Sequence, residues 1–160
     1  MNFKEVLTEF QNDRTIPDHF VESIEVNRQL RIELVDYFKT NQDRDFVIHL
    51  LNKMISFRRQ EDKGITGDSI MLGCYLLGLH KNVEDSLRIW NAKTTDFDTF
   101  SYVDIQLIPF VGLDLTINYL RSLKSKEAED ALKYIIECKE SGDFDEFDSY
   151  YAKDSLPWYV

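Results

Sequence analysis

Two stretches carry residue types that could do chemistry: Asp96-Phe97-Asp98 in "TTDFDTFS" and Asp143-Phe144-Asp145 in "SGDFDEFD". Two aspartates one residue apart and followed by threonine, as in Asp96 to Thr99, are the opening of an aspartyl phosphatase, with one carboxylate as nucleophile and the other as general acid. That chemistry needs a buried strand just before the pair. Here "WNAKTT", the polar end of a helix, precedes it, and no parallel-sheet pattern occurs anywhere. Aspartate is also a preferred helix N-cap, and its charge suits the positive end of a helix. The expectation is that Asp96 or Asp98 caps a helix running towards Pro109. The second pair, after Gly142, marks a helix end, a turn and a new cap.

Other motifs fare no better as chemistry. "GDSI", Gly67 to Ile70, resembles the nucleophile block of GDSL-type hydrolases, which also need a preceding strand and a downstream D-x-x-H. The one downstream histidine is His80, at the end of the same predicted helix, so an Asp-Ser pair opening a helix accounts for the letters. His19, His49 and His80 are isolated, with no H-E-x-x-H and no C-x-x-C, and neither acidic pair has calcium-loop spacing. "GITGD" lacks the Lys-Ser/Thr of a phosphate loop. Cys74 and Cys138 lie far apart among apolar residues and read as buried, reduced thiols. No catalytic residue, cofactor or metal is expected, and the chain reads as a non-enzyme.

The elements around these residues are helical by periodicity. Phe3, Val6, Leu7 and Phe10 recur at three and four, and Val26, Leu30, Leu34 and Phe38 at four. Phe46, Val47, Leu50, Leu51, Met54 and Ile55 make one stripe, with Asp43 placed to cap it and Arg58-Arg59 at its negative end. "EDKGITGD" reads as a loop with a cap at Asp68. The following "SIMLGCYLLGL" is apolar nearly all round, as in a helix covered on both sides, and Gly73 and Gly78 admit close neighbours. Ser86 to Trp90, Thr116 to Leu120 and Ala131 to Ile135 share one small-apolar-polar-apolar-apolar pattern at offsets of 30 and 15 residues. A last long helix runs from about Lys126 to Glu140, capped by Ser125 and ended by Gly142. Phe144, Phe147, Tyr150 and Tyr151 then place a short docked helix in the tail. The fold expectation is all-α: an irregular stack of helical hairpins, a degenerate ankyrin- or HEAT-like array of seven to nine helices. It forms a single domain over 1–160, with N-terminal helices over 1–62, stacked hairpins over 67–151 and a tail over 152–160.

With 29 acids against 19 bases the formal charge is −10, which argues against the basic face that phosphate contact needs, so no nucleic-acid partner is expected. Residues 137–160 hold 7 acids and 2 bases, the acidic pole of the chain. "MNFKEVLTEF" lacks the basic and apolar regions of a signal peptide, and no apolar run reaches membrane-spanning length, so a cytoplasmic location is expected. An acidic chain suits a basic protein partner, with charge steering the encounter. The candidate partner-binding residues are Asp96, Phe97, Asp98, Phe100 and Asp104 in one group. Asp143, Asp145, Glu146 and Asp148 form the other, beside Phe144, Phe147, Tyr150 and Tyr151. Aromatics anchor such a surface and acids select its partner. An ordinary amphipathic helix, aromatics to the core and acids to water, has the same letters.

The second half resembles a type of small, acidic, all-helical bacterial protein. The resemblance lies in Val83 to Lys93 (V-E-D-S-L-x-I-W-x-A-K), Asp96 to Thr99, Val103 to Leu107, and Gly112 with Thr116 to Leu120. Some proteins of this type are similar to immunity proteins encoded beside secreted toxins. The resemblance implies a protein-binding inhibitor that occludes a basic toxin domain such as a nuclease. Two other readings stand beside it. One is a helical-repeat scaffold or adaptor. The other is a small enzyme or ligand-binding protein with a pocket lined by Trp90, Tyr75 and His80.

Overall fold

The structure, a computed structural model, describes residues 3–152 and 155–160. These residues form ten α-helices and no strand. They are α1 (Phe3–Asp13), α2 (Asp18–Val26), α3 (Arg28–Phe38), α4 (Arg44–Arg58), α5 (Gly67–Gly78), α6 (Asp85–Lys93), α7 (Phe97–Tyr102), α8 (Leu113–Ser122), α9 (Lys126–Glu140) and α10 (Phe147–Tyr150). A 3-10 turn at Ile105–Leu107 follows α7. The all-α stack of the sequence expectation is what is observed. The two very short helices, α7 and α10, raise the number above seven to nine.

α5 is the hub. Every residue from Ser69 to Gly78 is buried, as its lack of a polar face required. It packs against α3, α4, α6, α7 and the 3-10 turn, while α8 and α9 pair with each other and α9 also meets α6. Gly73 brings α5 within van der Waals reach of Leu51 and Met54 on α4. On the N-terminal side the core is ring-rich. Phe3 touches Phe20, Tyr37, Phe38 and Phe46, and Phe10 meets Phe46 edge to face at 5.2 Å.

Three polar ties set the layout. Arg44 at the start of α4 grips the buried Asp85 at the start of α6 with two bonds, 2.8 and 2.7 Å. Such a two-pronged charge pair fixes geometry as well as distance. Arg31 on α3, itself buried, donates to the carbonyls of Ile24, Glu25 and Tyr159 and to Ser69 Oγ. Arg28 donates to the Val160 carbonyl, so the tail folds back onto the α2–α3 joint.

Several caps differ from expectation. Ser125 caps α9 as its sequence indicates. Gly142, at φ +84°, ends α9 with Asp143 N–H to Cys138 O and Gly142 N–H to Lys139 O, a Schellman arrangement. Asp43 makes no cap bond, because its carboxylate accepts the Tyr37 hydroxyl at 2.7 Å. Asp68 lies one residue inside α5, whose N-cap is Thr66, and accepts the Tyr102 hydroxyl instead. The second acidic pair caps nothing: Asp143 and Asp145 form a turn, and α10 starts at Phe147 with no side-chain cap.

Candidate functional site

The first acidic pair does open a helix. Asp96 Oδ1 accepts the Thr99 N–H at 2.8 Å, and Thr99 Oγ1 accepts the Asp96 N–H at 3.0 Å, a complete capping box. The helix is short, however, and does not run towards Pro109. It ends at Tyr102 because Val103 is extended and Lys93, from the end of α6, catches two carbonyls there. Lys93 is buried, and its Nζ donates to Phe100 O and Val103 O. The ammonium lies beside the rings of Phe100 and Tyr134, 5.2 and 5.7 Å from their centroids. Burial pulls its pKa below the ordinary lysine value.

The front of α7 is held by Arg58, the last residue of α4. Its Nε donates to Asp96 Oδ2 at 2.7 Å and its Nη1 to the Ile65 carbonyl, while Nη2 reaches Asp98 at 3.4 Å. The hydrogen bond from Arg58 holds the Asp96 carboxyl below the usual aspartate range, with help from the Thr99 N–H. Beyond the helix, Asp104 Oδ2 accepts both the Tyr150 hydroxyl at 2.8 Å and the Trp158 indole N–H at 3.1 Å. Tyr102 lies across Gly67, donates to Asp68 at 2.8 Å and meets the Trp158 ring at 5.8 Å.

The outcome is a pair of exposed rings in contact beside α7, Trp158 at 61% and Tyr102 at 46% of full exposure, with Phe97, 82% exposed, at the other end of the helix and about 140° round it. Carboxylates Asp68, Asp98 and Asp104 stand among them. A shallow recess of about 510 Å³ opens beside Tyr102, with Arg58, Asp68, Asp98 and Ser101 on its walls.

The predicted site residues thus take different parts. Phe97 and Asp98 project to solvent. Asp96 and Asp104 face this surface with their carboxylates engaged within the fold. Phe100 turns inward against Trp90 and Tyr134. Asp143, Asp145 and Glu146 are exposed around a separate recess with Gln106 and Tyr150. Asp148 is on yet another cleft, with Lys81 and His80. Of the pocket residues named from sequence, Tyr75 and His80 share that cleft, whereas Trp90 packs against Phe100 and Tyr134. Sequence reasoning gave Trp158, Asp68 and Arg58 no part in this surface, and read Asp68 as a helix cap. Trp158 follows "SLP" with no helical period to draw attention to it, and Arg58 read as an end-of-helix charge.

Cys74 and Cys138 are free and buried. Among the described residues no group of three His, Cys, Asp or Glu side chains could hold a metal ion, and no helix is long and apolar enough to cross a membrane. The chain matches no family model, no curated protein and no solved structure.

Proposed function

We propose that the chain is a protein-binding module whose α7 face engages a basic protein. The observation that carries this reading is the exposure of Phe97, Asp98 and Tyr102 on a helix anchored at both ends, with Trp158 of the tail and Asp68 of α5 in contact with Tyr102. Rings of this kind dominate binding energy when a partner buries them, and the surrounding charges choose the partner. Taken with the resemblance, the partner is a basic toxin domain and the mechanism is occlusion. The acidic face covers a cationic cleft, and the −10 charge speeds encounter.

The experiment is a tagged capture from the native cell, washed at low and then high salt, run in parallel with a Phe97→Ala/Tyr102→Ala/Trp158→Ala triple variant. The expected result is one stoichiometric basic protein, retained by the wild type and lost by the variant. Adding the pure wild-type chain to that protein abolishes its activity at a one-to-one ratio. Equal retention by both chains, or no retention by either, removes the α7 face from the reading.

A further inference from the structure

The recess beside Tyr102 lies between the start of α5 and α7, with Arg58 of α4 bridging the two. Its volume of about 510 Å³ has room for one long side chain. Tyr102 supplies the apolar wall. Its ring rests against Gly67, where a methyl group would sit 2.2 Å away. The hydroxyl is fixed on Asp68 at 2.8 Å, and the Trp158 ring meets Tyr102 edge to face at 5.8 Å. Even so, 46% of the residue stays open to solvent.

The charge of the recess has a definite sign. Arg58 is already engaged: Nε donates to Asp96, Nη1 to the Ile65 carbonyl, and Nη2 lies 3.4 Å from both Asp96 and Asp98. Asp96 therefore answers Arg58, and the carboxylates of Asp68 and Asp98 are in excess. Among the described residues Asp68 accepts the Tyr102 hydroxyl and has no cation within ion-pair distance. Asp98 is 81% exposed, with its one long contact to Arg58. A carboxylate offers about four acceptor sites, so both have capacity left. The positive end of α5 does not reverse the sign, because Asp68 stands in its first turn.

Two carboxylates beside an open aromatic ring suit a guanidinium better than an ammonium. The guanidinium is planar, stacks on rings and presents its N–H donors in a fixed fork, whereas an ammonium is compact and strongly hydrated. We propose that this recess receives one arginine side chain of the basic partner, its guanidinium lying on the Tyr102 ring and donating to Asp68 and Asp98. The assignment rests on the α7 reading and names the group that the partner places there.

The test needs no identified partner. Blocked arginine, lysine and citrulline, each with an acetylated amine and an amidated carboxyl, are titrated at low salt into the isotope-labelled full chain and followed by amide chemical shifts. Citrulline keeps the shape of arginine without its charge. Arginine moves the amides of Asp68, Asp98 and Tyr102 and binds about tenfold more tightly than citrulline, the worth of one charge-assisted contact. Lysine falls between them. The decisive variant is Asp68→Asn/Asp98→Asn, because asparagine keeps an acceptor for the Tyr102 hydroxyl and removes only charge. In it arginine and citrulline bind alike. Equal binding of the three to the wild type, no shifts at tens of millimolar, shifts confined to other surfaces, or an unchanged arginine preference in the double variant would each overturn the proposal. A chain that captures a basic protein but ignores arginine loses this inference alone. One that binds arginine in the recess but captures nothing loses the α7 reading alone.

Discussion

Lys93→Met isolates what holds α7 in place. Methionine keeps the length and apolar stem of lysine and removes the ammonium. The carbonyls of Phe100 and Val103 then lose their shared donor at a buried helix end. An orphaned buried polar group costs about 1–3 kcal/mol, so two cost roughly 2–6 kcal/mol. Part of this is offset, because burying an ammonium is itself unfavourable, as the lowered Lys93 pKa records. The expected net loss is about 3 kcal/mol, and at about 2–4 °C per kcal/mol for a chain of this size Tm falls by roughly 6–12 °C. Urea unfolding at pH 7, followed by far-UV circular dichroism, gives the change directly from the midpoint at constant slope. The pH dependence adds a signature. Folded Lys93 releases its proton before the unfolded residue does, so the unfolded state binds more protons between the folded pKa and the ordinary lysine value. Wild-type stability therefore gains with pH in that window relative to the methionine variant, and the neutral amine still donates to both carbonyls. A variant as stable as wild type at pH 7 would refute the claim that Lys93 anchors α7.

Three other outcomes follow from the same geometry. Asp96→Ala removes an N-cap worth about 1 kcal/mol and leaves Arg58 with only its longer contact to Asp98 among carboxylates. Because the folded Asp96 pKa is depressed, its contribution is complete above the unfolded aspartate value and fades as pH falls through the folded one. The midpoint gap between variant and wild type should therefore close in acid. Tyr37 is pushed up to about 12 by burial and then by the Asp43 carboxylate. Its contribution is complete below the ordinary tyrosine pKa and is lost as pH rises from there towards 12, so Tyr37→Phe should flatten the alkaline arm of a midpoint-against-pH curve. Gly67→Ala places a methyl group 2.2 Å from the Tyr102 ring, which is exposed and able to move. We expect less than about 1 kcal/mol of lost stability, but loss of the Tyr102–Asp68 bond and weaker capture of the partner, read by a binding assay.

Helix type was legible wherever apolar residues kept one period, as in Phe46 to Ile55, and wherever a local residue had a single use, as with Ser125 and Gly142. Caps that depended on distant groups were not. Asp43 and Asp68 have cap-like positions, yet tyrosines at 37 and 102 take their carboxylates. The length of α7 was also illegible, because the residue that stops it, Lys93, is on another helix and would ordinarily be solvated. The surface could be read only in outline. Asp96 and Asp104 have the right type and spacing for a binding face, but long-range partners, Arg58, Tyr150 and Trp158, give them internal duties. Charge reversal there tests folding as much as binding, and even Asp98, 81% exposed, keeps a 3.4 Å contact with Arg58, so its neutral variant Asp98→Asn is the milder probe.

A helix of six residues has no stability of its own in water. With Arg58 at its front and Lys93 at its back, α7 nevertheless waits in finished form. Ordering costs are then met before any partner arrives. Under the proposed reading, complex formation would then be a one-step collision, without a slow rearrangement limiting its rate at high concentration. Exposed charges such as Asp98 would set how fast that collision succeeds and how salt slows it. In the same reading, Phe97, Tyr102 and Trp158 would set how long the complex lasts.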